Sequence, residues 1–392
     1  MQNSYVKMNI LLNLISIKSG GGQQVVSNFI NTLLSNNYFG HSFVFIVTEE
    51  TYIKELLKNE KNIIIVPSNF ILRYIYENYL IREIVKYNDY DIDIIYSLFG
   101  TTLKIKKIPS VVGCAFSNIF YPEINFWTSQ NYLDLLIKKY IDYYRKRKTL
   151  NADAIVFENE SMRQRAISLF KYPHEKTIFI RPSVSFHLNT SKDLITIKEK
   201  CSKLPKGYNL LMLTGWHKNK NIEIVPFILR ILKSYASDFN FIITVSLNHP
   251  QSIGLFDEAK RQEVENNIYF FDSIEPYEVE TLINSVDAVV LLSLLESFSN
   301  NIIEAWAYKK PLIISDKEWS RSICNDAALY VDRINPQDIA DKINLLRNNI
   351  SYSEILVKNG IEELKKYPTP IEKVNLQINF LYKVLVDYEK DV

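Results

Sequence analysis

The sequence predicts an α/β protein built from two doubly wound domains, each with a parallel sheet. Three observations lead to this prediction: a length of 392 residues, short apolar runs that alternate with amphipathic stretches, and a polar break near the middle of the chain. The length is too great for one ordinary core and suits two domains of about 150–200 residues. Apolar runs that alternate with helical patterns are typical of strand–helix units around a parallel sheet.

The first half of the chain contains the strands of one sheet. Its first strand, at 8–15, is followed by a glycine loop at 19–22 and a helix at about 23–34. The longest helical pattern covers residues 128–150. Further strands are predicted at 43–47, 63–66, 94–97, 110–115, 154–157 and 177–180.

A polar stretch at 182–207 has the composition of a linker, and a second sheet follows it. A helix is predicted at 221–235, and a last helix at 371–388 is long enough to pack back across the domain boundary. We therefore expect domains at 1–185 and 186–368, a C-terminal helix at 369–392, and a cleft at the carboxyl ends of the strands. Strands of the second sheet are predicted at 209–214, 240–245, 268–271, 288–292 and 312–315.

The composition narrows the class of protein. Hydrophobic residues make up 47% and charged residues 23%, which is typical of a soluble globular protein. The formal net charge of +2 gives no electrostatic case for nucleic acid as a partner. Cys114, Cys201 and Cys324 lie far apart, which favours a reducing compartment. No signal peptide and no run of about 18 apolar residues is evident, so we expect a cytoplasmic protein.

Residues 292–307 form the segment most informative about chemistry. They have the pattern of a strand, a polar loop and a helix, with Glu296 in the loop and Glu304 early in the helix. The N–H groups at the start of such a helix form an anion site that suits a diphosphate. A carboxylate accepts two hydrogen bonds from a vicinal diol, so two carboxylates hold a sugar nucleotide at the sugar and at the ribose.

The spacing Glu296-x7-Glu304, followed by Ala305 and the turn Lys310-Pro311, resembles the E-x7-E signature of retaining glycosyltransferases of the GT-B fold, family four in particular. The resemblance implies two Rossmann-like domains that face a cleft, with the C-terminal helix crossing back to the N-terminal domain. It also implies a nucleotide-diphosphate sugar as co-substrate and no other cofactor.

The resemblance assigns roles within this segment. Glu296 is expected to contact the donor sugar near its anomeric centre, as a catalytic residue, and Glu304 to bind the ribose. The loop between them is expected to meet the sugar and phosphates. The donor-binding residues expected in this loop are Ser297, Phe298, Ser299, Asn300 and Asn301.

Two further segments match donor-phosphate positions of the family. Gly21 and Gly22 follow the first strand, where the family has a glycine-rich loop, although a flexible turn gives the same pattern. Lys220 matches the second member of the family's basic clamp and is assigned a catalytic role on the diphosphate. Trp216 stands where the clamp has arginine, which leaves Lys218 or His217 to compensate.

The remaining assignments follow from the same alignment with the family. Ser273 and Ile274 occupy the loop that contacts the base, in a place where glycine is more usual. Many relatives have a histidine beside the reacting sugar after the strand at 110–115. This sequence has none there, so Ser117 and Asn118 are expected to serve the acceptor side.

Two charged segments outside these motifs need an interpretation. The aspartates in 89–93 invite comparison with a D-x-D metal site, but they precede a strand and have the composition of a turn, so we expect no metal. The helical pattern at 138–148 combines six cations with three tyrosines. It is either a solvated face or a surface for peripheral contact with an anionic membrane.

The sequence thus predicts a retaining, metal-independent glycosyltransferase that moves a sugar to a glycan or lipid-linked acceptor. A role in bacterial surface polysaccharide synthesis and a place in the cytoplasm, at the inner face of the membrane, fit this activity. Two alternatives stay open: a sugar-nucleotide epimerase of similar fold, which needs no external acceptor, and a catalytically silent binding module.

Overall fold

The computed structural model describes residues 6–17, 20–127, 131–184 and 194–391. The chain forms two compact units. The first comprises Met1–Glu123, Thr128–Ser185 and Pro368–Val392, and the second comprises Ile124–Trp127 and Phe186–Tyr367. Each unit contains one parallel sheet with its helices, so the predicted α/β class with two Rossmann-like domains is confirmed.

The first unit contains a seven-stranded parallel sheet. The elements are β1 (Asn9–Asn13), α1 (Gly20–Ser35), β2 (Ser42–Thr48), α2 (Tyr52–Leu56), β3 (Ile63–Val66), α3 (Phe70–Ile75), α4 (Ile81–Tyr87), β4 (Ile94–Ser97), β5 (Ser110–Cys114), α5 (Ser117–Phe120), α6 (Tyr132–Leu150), β6 (Ala154–Phe157), α7 (Glu160–Phe170) and β7 (Thr177–Phe179). The strand order is β3-β2-β1-β4-β5-β6-β7. A π-helical turn, Tyr76–Leu80, joins α3 to α4.

Burial on both faces explains why these strands are almost continuously apolar. Ile10 and Leu12 of β1 belong to one buried cluster, and Leu11, between them, belongs to another. Because successive side chains of a strand point to opposite faces, both faces of this sheet are covered.

The second unit contains a six-stranded parallel sheet. Its elements are α8 (Leu194–Cys201), β8 (Tyr208–Met212), α9 (Val225–Tyr235), β9 (Phe239–Ile243), α10 (Pro250–Arg261), β10 (Ile268–Phe270), α11 (Val279–Asn284), β11 (Ala288–Leu291), α12 (Asn300–Ala307), β12 (Leu312–Ser315), α13 (Glu318–Cys324), β13 (Leu329–Val331), α14 (Pro336–Asn348) and α15 (Ile350–Leu364). The strand order is β10-β9-β8-β11-β12-β13.

The last helix, α16 (Pro370–Asp391), belongs to the first unit, as the sequence predicted. Val374 and Leu381 enter the buried cluster that contains β1. The buried amide of Gln377 donates a hydrogen bond to the hydroxyl of Tyr96, at 2.8 Å. These contacts fix the C-terminal helix to the sheet of the N-terminal domain.

Three predicted features differ from the structure. Gly20 to Gly22 form the first turn of α1 rather than a loop, because packing of this helix outweighs the low helix propensity of glycine. The proposed linker at 182–207 contains α8, whose Ile197 is buried. Residues 18–19, 128–130 and 185–193 of the predicted segments lie outside the described residues. The short strand β13 was not predicted.

Candidate active site

Two loops of the second unit meet at the carboxyl edge of its sheet. Strands β8 and β11 are parallel neighbours, with Ala288 paired to Leu210 and Val289 to Leu211. The segments that follow them, 213–221 and 292–299, therefore emerge side by side. This is the edge of an open α/β sheet at which ligands bind.

Asn219 holds the two loops together. Its carbonyl oxygen accepts a hydrogen bond from the N–H of Leu294 at 2.6 Å, and its amide donates to the carbonyl oxygen of Leu295 at 3.1 Å. Sequence reasoning missed this residue, because its partners lie about 75 positions away and no local pattern marks them. Lys220 and Glu296 follow the bonded residues in the chain, so these contacts bring the two side chains close together.

Lys220 and Glu296 form an ion pair at this edge. The Nζ atom of Lys220 lies 2.5 Å from Oε1 of Glu296, and the two side chains are only 19% and 11% exposed. The sequence assigned both residues to the site but did not foresee their pairing. The pair leaves each charge compensated in the absence of a ligand.

Glu304 contrasts with Glu296 because its carboxylate lacks a partner. It lies in α12, its Oε2 atom is buried, and that atom has no hydrogen-bond partner among the described residues. Burial raises the pKa of Glu304 to about 7. A buried carboxylate without donors is costly. A ligand with two adjacent hydroxyl groups would supply the missing donors.

The start of α12 lies against the end of β8. The amide of Asn301 donates to the carbonyl oxygen of Leu213 at 2.6 Å, which links the two elements. Ser299 is the N-cap residue, and its side chain makes no capping hydrogen bond. The first N–H groups of α12 thus keep the capacity to bind an anion at this edge. The partly buried side chains of Ser297, Phe298 and Asn300 complete the predicted loop.

Trp216 has a structural role at the position where the family has arginine. Its indole N–H donates to the hydroxyl of Ser252 at 2.9 Å, and its ring stacks on His249. The ammonium group of Lys218 lies 5.4 Å from the ring centre of Trp127. His217 is exposed.

Sequence reasoning also missed a buried arginine near this edge. The carbonyl oxygen of Arg333 accepts a hydrogen bond from Asn221, the residue after Lys220, at 2.8 Å. The Nε and Nη1 atoms of Arg333 are buried without a partner, and burial lowers its pKa. No sequence motif singles it out, because it follows the unpredicted strand β13.

The predicted base-contacting loop follows β10. Asp272 adopts a φ of +68°, in the left-handed region that favours glycine. Ser273 is exposed and Ile274 is partly buried. In the sheet, β9 separates β10 from β8. The loop after β10 therefore lies at the same edge as the loop after β8, but two strands away from it.

The other predicted site residues belong to the first unit. Gly21 and Gly22 lie in the first turn of α1, and Ser117 and Asn118 lie in α5. The amide of Asn118 donates to Asp142 of α6 at 2.9 Å, so an acceptor must compete for it.

The segment 89–93 adopts the backbone of a turn and contacts the first strand. Asp93 accepts a hydrogen bond from the N–H of Asn9 at 2.7 Å, and Asp89 has a φ of +53°. Both observations fit the turn interpretation. The absence of a metal requirement stays a prediction.

Comparisons with known proteins agree with this architecture. Residues 196–363 match the model of the family described as glycosyl transferases group 1. No curated protein sequence matches the chain. A glycosyltransferase from Rickettsia africae is similar in structure, with a TM-score of 0.70 and 18% identity over 97% of this chain and 99% of that one.

Two other solved structures share the fold. HepE of Anabaena, in complex with UDP and glucose, has a TM-score of 0.66 and 15% identity, covering 95% of this chain and 98% of that one. A putative UDP-N-acetylglucosamine 2-epimerase from Listeria monocytogenes has a TM-score of 0.61 and 11% identity, covering 95% of each chain. Residues 196–363 therefore resemble group 1 glycosyl transferases, in a chain that has the GT-B fold.

Proposed function

We propose that the protein is a retaining glycosyltransferase that uses a nucleotide-diphosphate sugar. The observation that carries the proposal concerns Glu304, whose Oε2 atom is buried without a hydrogen-bond partner among the described residues. It lies eight residues after Glu296, which is paired with Lys220. Glu304 accepts hydrogen bonds from the ribose hydroxyls, and the start of α12 receives the diphosphate. HepE binds UDP and glucose on the same fold, which supports this class of donor.

Glu296 and Lys220 serve the reacting end of the donor. When the diphosphate enters, Lys220 moves its charge from Glu296 towards the phosphate oxygens. Glu296 is then free to accept hydrogen bonds from hydroxyls of the transferred sugar. Stabilising the charge that develops on the leaving diphosphate is the main contribution of the protein to catalysis.

The reaction that fits these groups is a same-face displacement. The acceptor oxygen forms a bond to the anomeric carbon as the bond from that carbon to the diphosphate oxygen breaks. The hydroxyl proton of the acceptor passes to the leaving diphosphate, whose electron pair receives it. Lys220 and the N–H groups of α12 supply the positive charge that this step needs, so we propose that it requires no metal.

The acceptor is a glycan or a lipid-linked glycan, and the product is a component of a bacterial surface polysaccharide. Within the described part of the chain, no helix is long and apolar enough to cross a membrane. A lipid-linked acceptor would then be met from the cytoplasmic surface of the membrane, by peripheral contact.

A sugar-nucleotide epimerase is the second candidate, because the fold also occurs in a putative enzyme of that class. A binding module without catalysis is the third. The pairing of Glu296 with Lys220 favours transfer over a silent module, since a module that only binds has no use for a cation at the leaving group.

The test is to incubate the protein with a panel of nucleotide-sugars, with and without glycan acceptors, and to follow the products by NMR. We expect release of nucleoside diphosphate that depends on an acceptor, a product with the donor's anomeric configuration, and full activity in EDTA. Acceptor-independent conversion to an epimer would establish the second candidate, and no turnover would favour the third. Loss of activity on chelation, restored by manganese, would contradict the metal-independent mechanism.

A further inference from the structure

Helix α6 presents apolar side chains to solvent beside only half of its six cations. Lys138 pairs with Asp142, and the guanidinium group of Arg145 lies 4.8 Å from the ring centre of Phe116. Burial lowers the pKa of Arg145. The six cations expected on one surface are therefore divided, and Lys139, Lys146 and Arg147 are the exposed ones.

The exposed face of α6 is instead a continuous apolar stripe. Leu133, Leu136, Ile137, Tyr140 and Tyr143 are all exposed, and Tyr140 and Tyr143 are exposed by 62% and 61%. Their spacing of three and four residues puts them on one side of the helix. A contiguous group of exposed apolar side chains is typical of a surface that contacts a partner or a membrane.

The neighbouring helical segment extends this surface. The rings of Tyr74 in α3 and Tyr144 in α6 are 5.7 Å apart, and the amide of Asn78 donates to the hydroxyl of Tyr144 at 3.2 Å. Beside these contacts Ile75 and Tyr79 are exposed. Two adjacent elements of the first unit thus present apolar side chains together.

A cavity of about 420 Å³ opens between these two elements. Its volume lies within the ~300–1,000 Å³ of small-molecule sites. Tyr74, Tyr140 and Tyr143 line it and are also exposed on the apolar surface. The cavity therefore opens within the apolar surface.

The lining of the cavity is largely apolar but includes basic side chains, and one of these, Lys148, is influenced by the carboxylate of Glu77. Arg147 and Lys148 line it, and neither forms a salt bridge among the residues that the structure describes. Lys148 donates to the amide oxygen of Asn78 at 2.7 Å, and burial lowers its pKa. Lys104 also lines the cavity but is paired with Asp153 at 2.9 Å.

Thr102 is a second, independent sign of a ligand. It lines the cavity, is 2% exposed, and its hydroxyl has no hydrogen-bond partner among the residues that the structure describes. A buried hydroxyl without a partner carries a desolvation cost that a bound acceptor or donor atom would remove.

We propose that this cavity binds the headgroup phosphate of an anionic phospholipid while the surrounding apolar stripe inserts into the bilayer. Arg147 and Lys148 supply charge-assisted hydrogen bonds to the phosphate oxygens, and the hydroxyl of Thr102 donates a third. The tyrosines at the rim suit the interface, where an aromatic ring meets both acyl chains and water. Exposed Lys139 and Lys146 add attraction to the anionic surface.

The proposal extends the membrane contact that is part of the proposed function. It does not depend on sugar transfer, so the vesicle-binding assay can fail while the transfer assay succeeds, and the reverse. The probe is a vesicle of phosphatidylglycerol and phosphatidylcholine, with phosphatidylcholine alone as reference, in a sedimentation assay at low salt. We expect the wild type to bind the anionic vesicles. Leu136→Ser with Ile137→Ser should weaken binding by about tenfold, and Leu345→Ser, an exposed position in the second unit, should not.

The sharpest pair of variants is Thr102→Val and Thr149→Val. Both remove a buried hydroxyl that has no partner, but Thr149 does not line the cavity. Neither should lower the thermal midpoint of unfolding. Thr102→Val should weaken binding to anionic vesicles by about fivefold or more, whereas Thr149→Val should change it less than about twofold.

Three results would overturn the proposal. The first is wild-type protein that ignores anionic vesicles at low salt. The second is an equal effect of the two threonine variants, which would mean that the cavity takes no headgroup. The third is a concentration-dependent dimer, lost in the variant at Leu136 and Ile137, which would assign the stripe to a second copy of the chain.

Discussion

At the scale of single residues, the state of Glu304 distinguishes a ligand site from an ordinary helix carboxylate. A solvated glutamate in α12 would have water as its partner, but the Oε2 atom of Glu304 is buried without one. The free protein therefore holds this carboxylate at a cost, which a ribose bound as we propose would remove. On this proposal the acidic residue serves the ligand rather than stability.

This cost predicts how stability depends on pH. Because the folded-state pKa is raised to about 7, folded protein binds the proton more tightly than unfolded protein, and the free energy of unfolding falls as pH rises from about 4.5 to 7. The loss is about 3 kcal/mol. Glu304→Gln should remove it, so the variant should gain stability on the wild type between pH 4.5 and 7.5 in denaturant titrations.

The matched control is Glu354→Gln, an exposed position on α15. Its difference in stability from the wild type should stay constant over the same pH range. A constant difference for Glu304→Gln as well would show that Glu304 is solvated, and would remove the reason to assign it to the ribose.

At the scale of elements, α15 controls the position of α12. Gly360 of α15 is buried against Trp306 of α12, and a Cβ atom there would lie 2.2 Å from Cδ1 of that ring. The indole N–H of Trp306 donates to the carbonyl oxygen of Ala327 at 3.1 Å, which holds the ring in place. The helix that carries Glu304 therefore has little freedom to shift.

Gly360→Ala should lower the free energy of unfolding by about 1–3 kcal/mol, because a methyl group has no space there. It should also weaken binding of nucleoside diphosphate by moving α12. The control is Gly254→Ala in α10, where nothing lies within 4 Å of the new Cβ atom, and which should stabilise by about 0.4–1 kcal/mol. Denaturant unfolding measures both variants, and equal effects would contradict the close packing of α15 on α12.

The elements also show how far the sequence predicts the structure. The strands β3, β4, β6 and β12 have the predicted bounds, because short runs of apolar residues between turns leave little choice. The strand β13 has only three residues and gives no such run. At the start of α1, three glycines predicted a loop, but packing of the helix in the folded unit stabilises the helical conformation there.

In the site, too, the local features could be predicted from the sequence and the long-range contacts could not. Glu296 and Glu304 lie in one local segment, so their spacing is visible in the sequence. Three features of the site depend on residues far apart in the chain. They are the pairing of Glu296 with Lys220, the hydrogen bonds of Asn219 to the loop after β11, and the contacts of Trp216. Long-range contacts of this kind leave no periodic pattern.

At the scale of the whole molecule, the two units are each complete structures. Each has its own parallel sheet and its own buried core, and α16 closes the first unit after the chain has completed the second. The carboxylates and the lysine assigned to the donor all lie in the second unit. The first unit carries the residues proposed for the acceptor side and the surface proposed to bind the membrane.

The central claim is that the second unit holds a nucleotide-sugar through Glu304, with Glu296 reserved for the sugar. Calorimetric titration of the full chain with UDP and with GDP tests it most directly, because both ligands carry the ribose and neither carries the transferred sugar. Glu304→Gln should weaken the preferred nucleotide by about tenfold, through loss of charge-assisted hydrogen bonds to the ribose. Glu296→Gln should bind it at least as tightly as the wild type, because Lys220 is released for the diphosphate, although transfer is lost. Unchanged affinity in Glu304→Gln, or a wild type that binds neither nucleotide, would contradict the account.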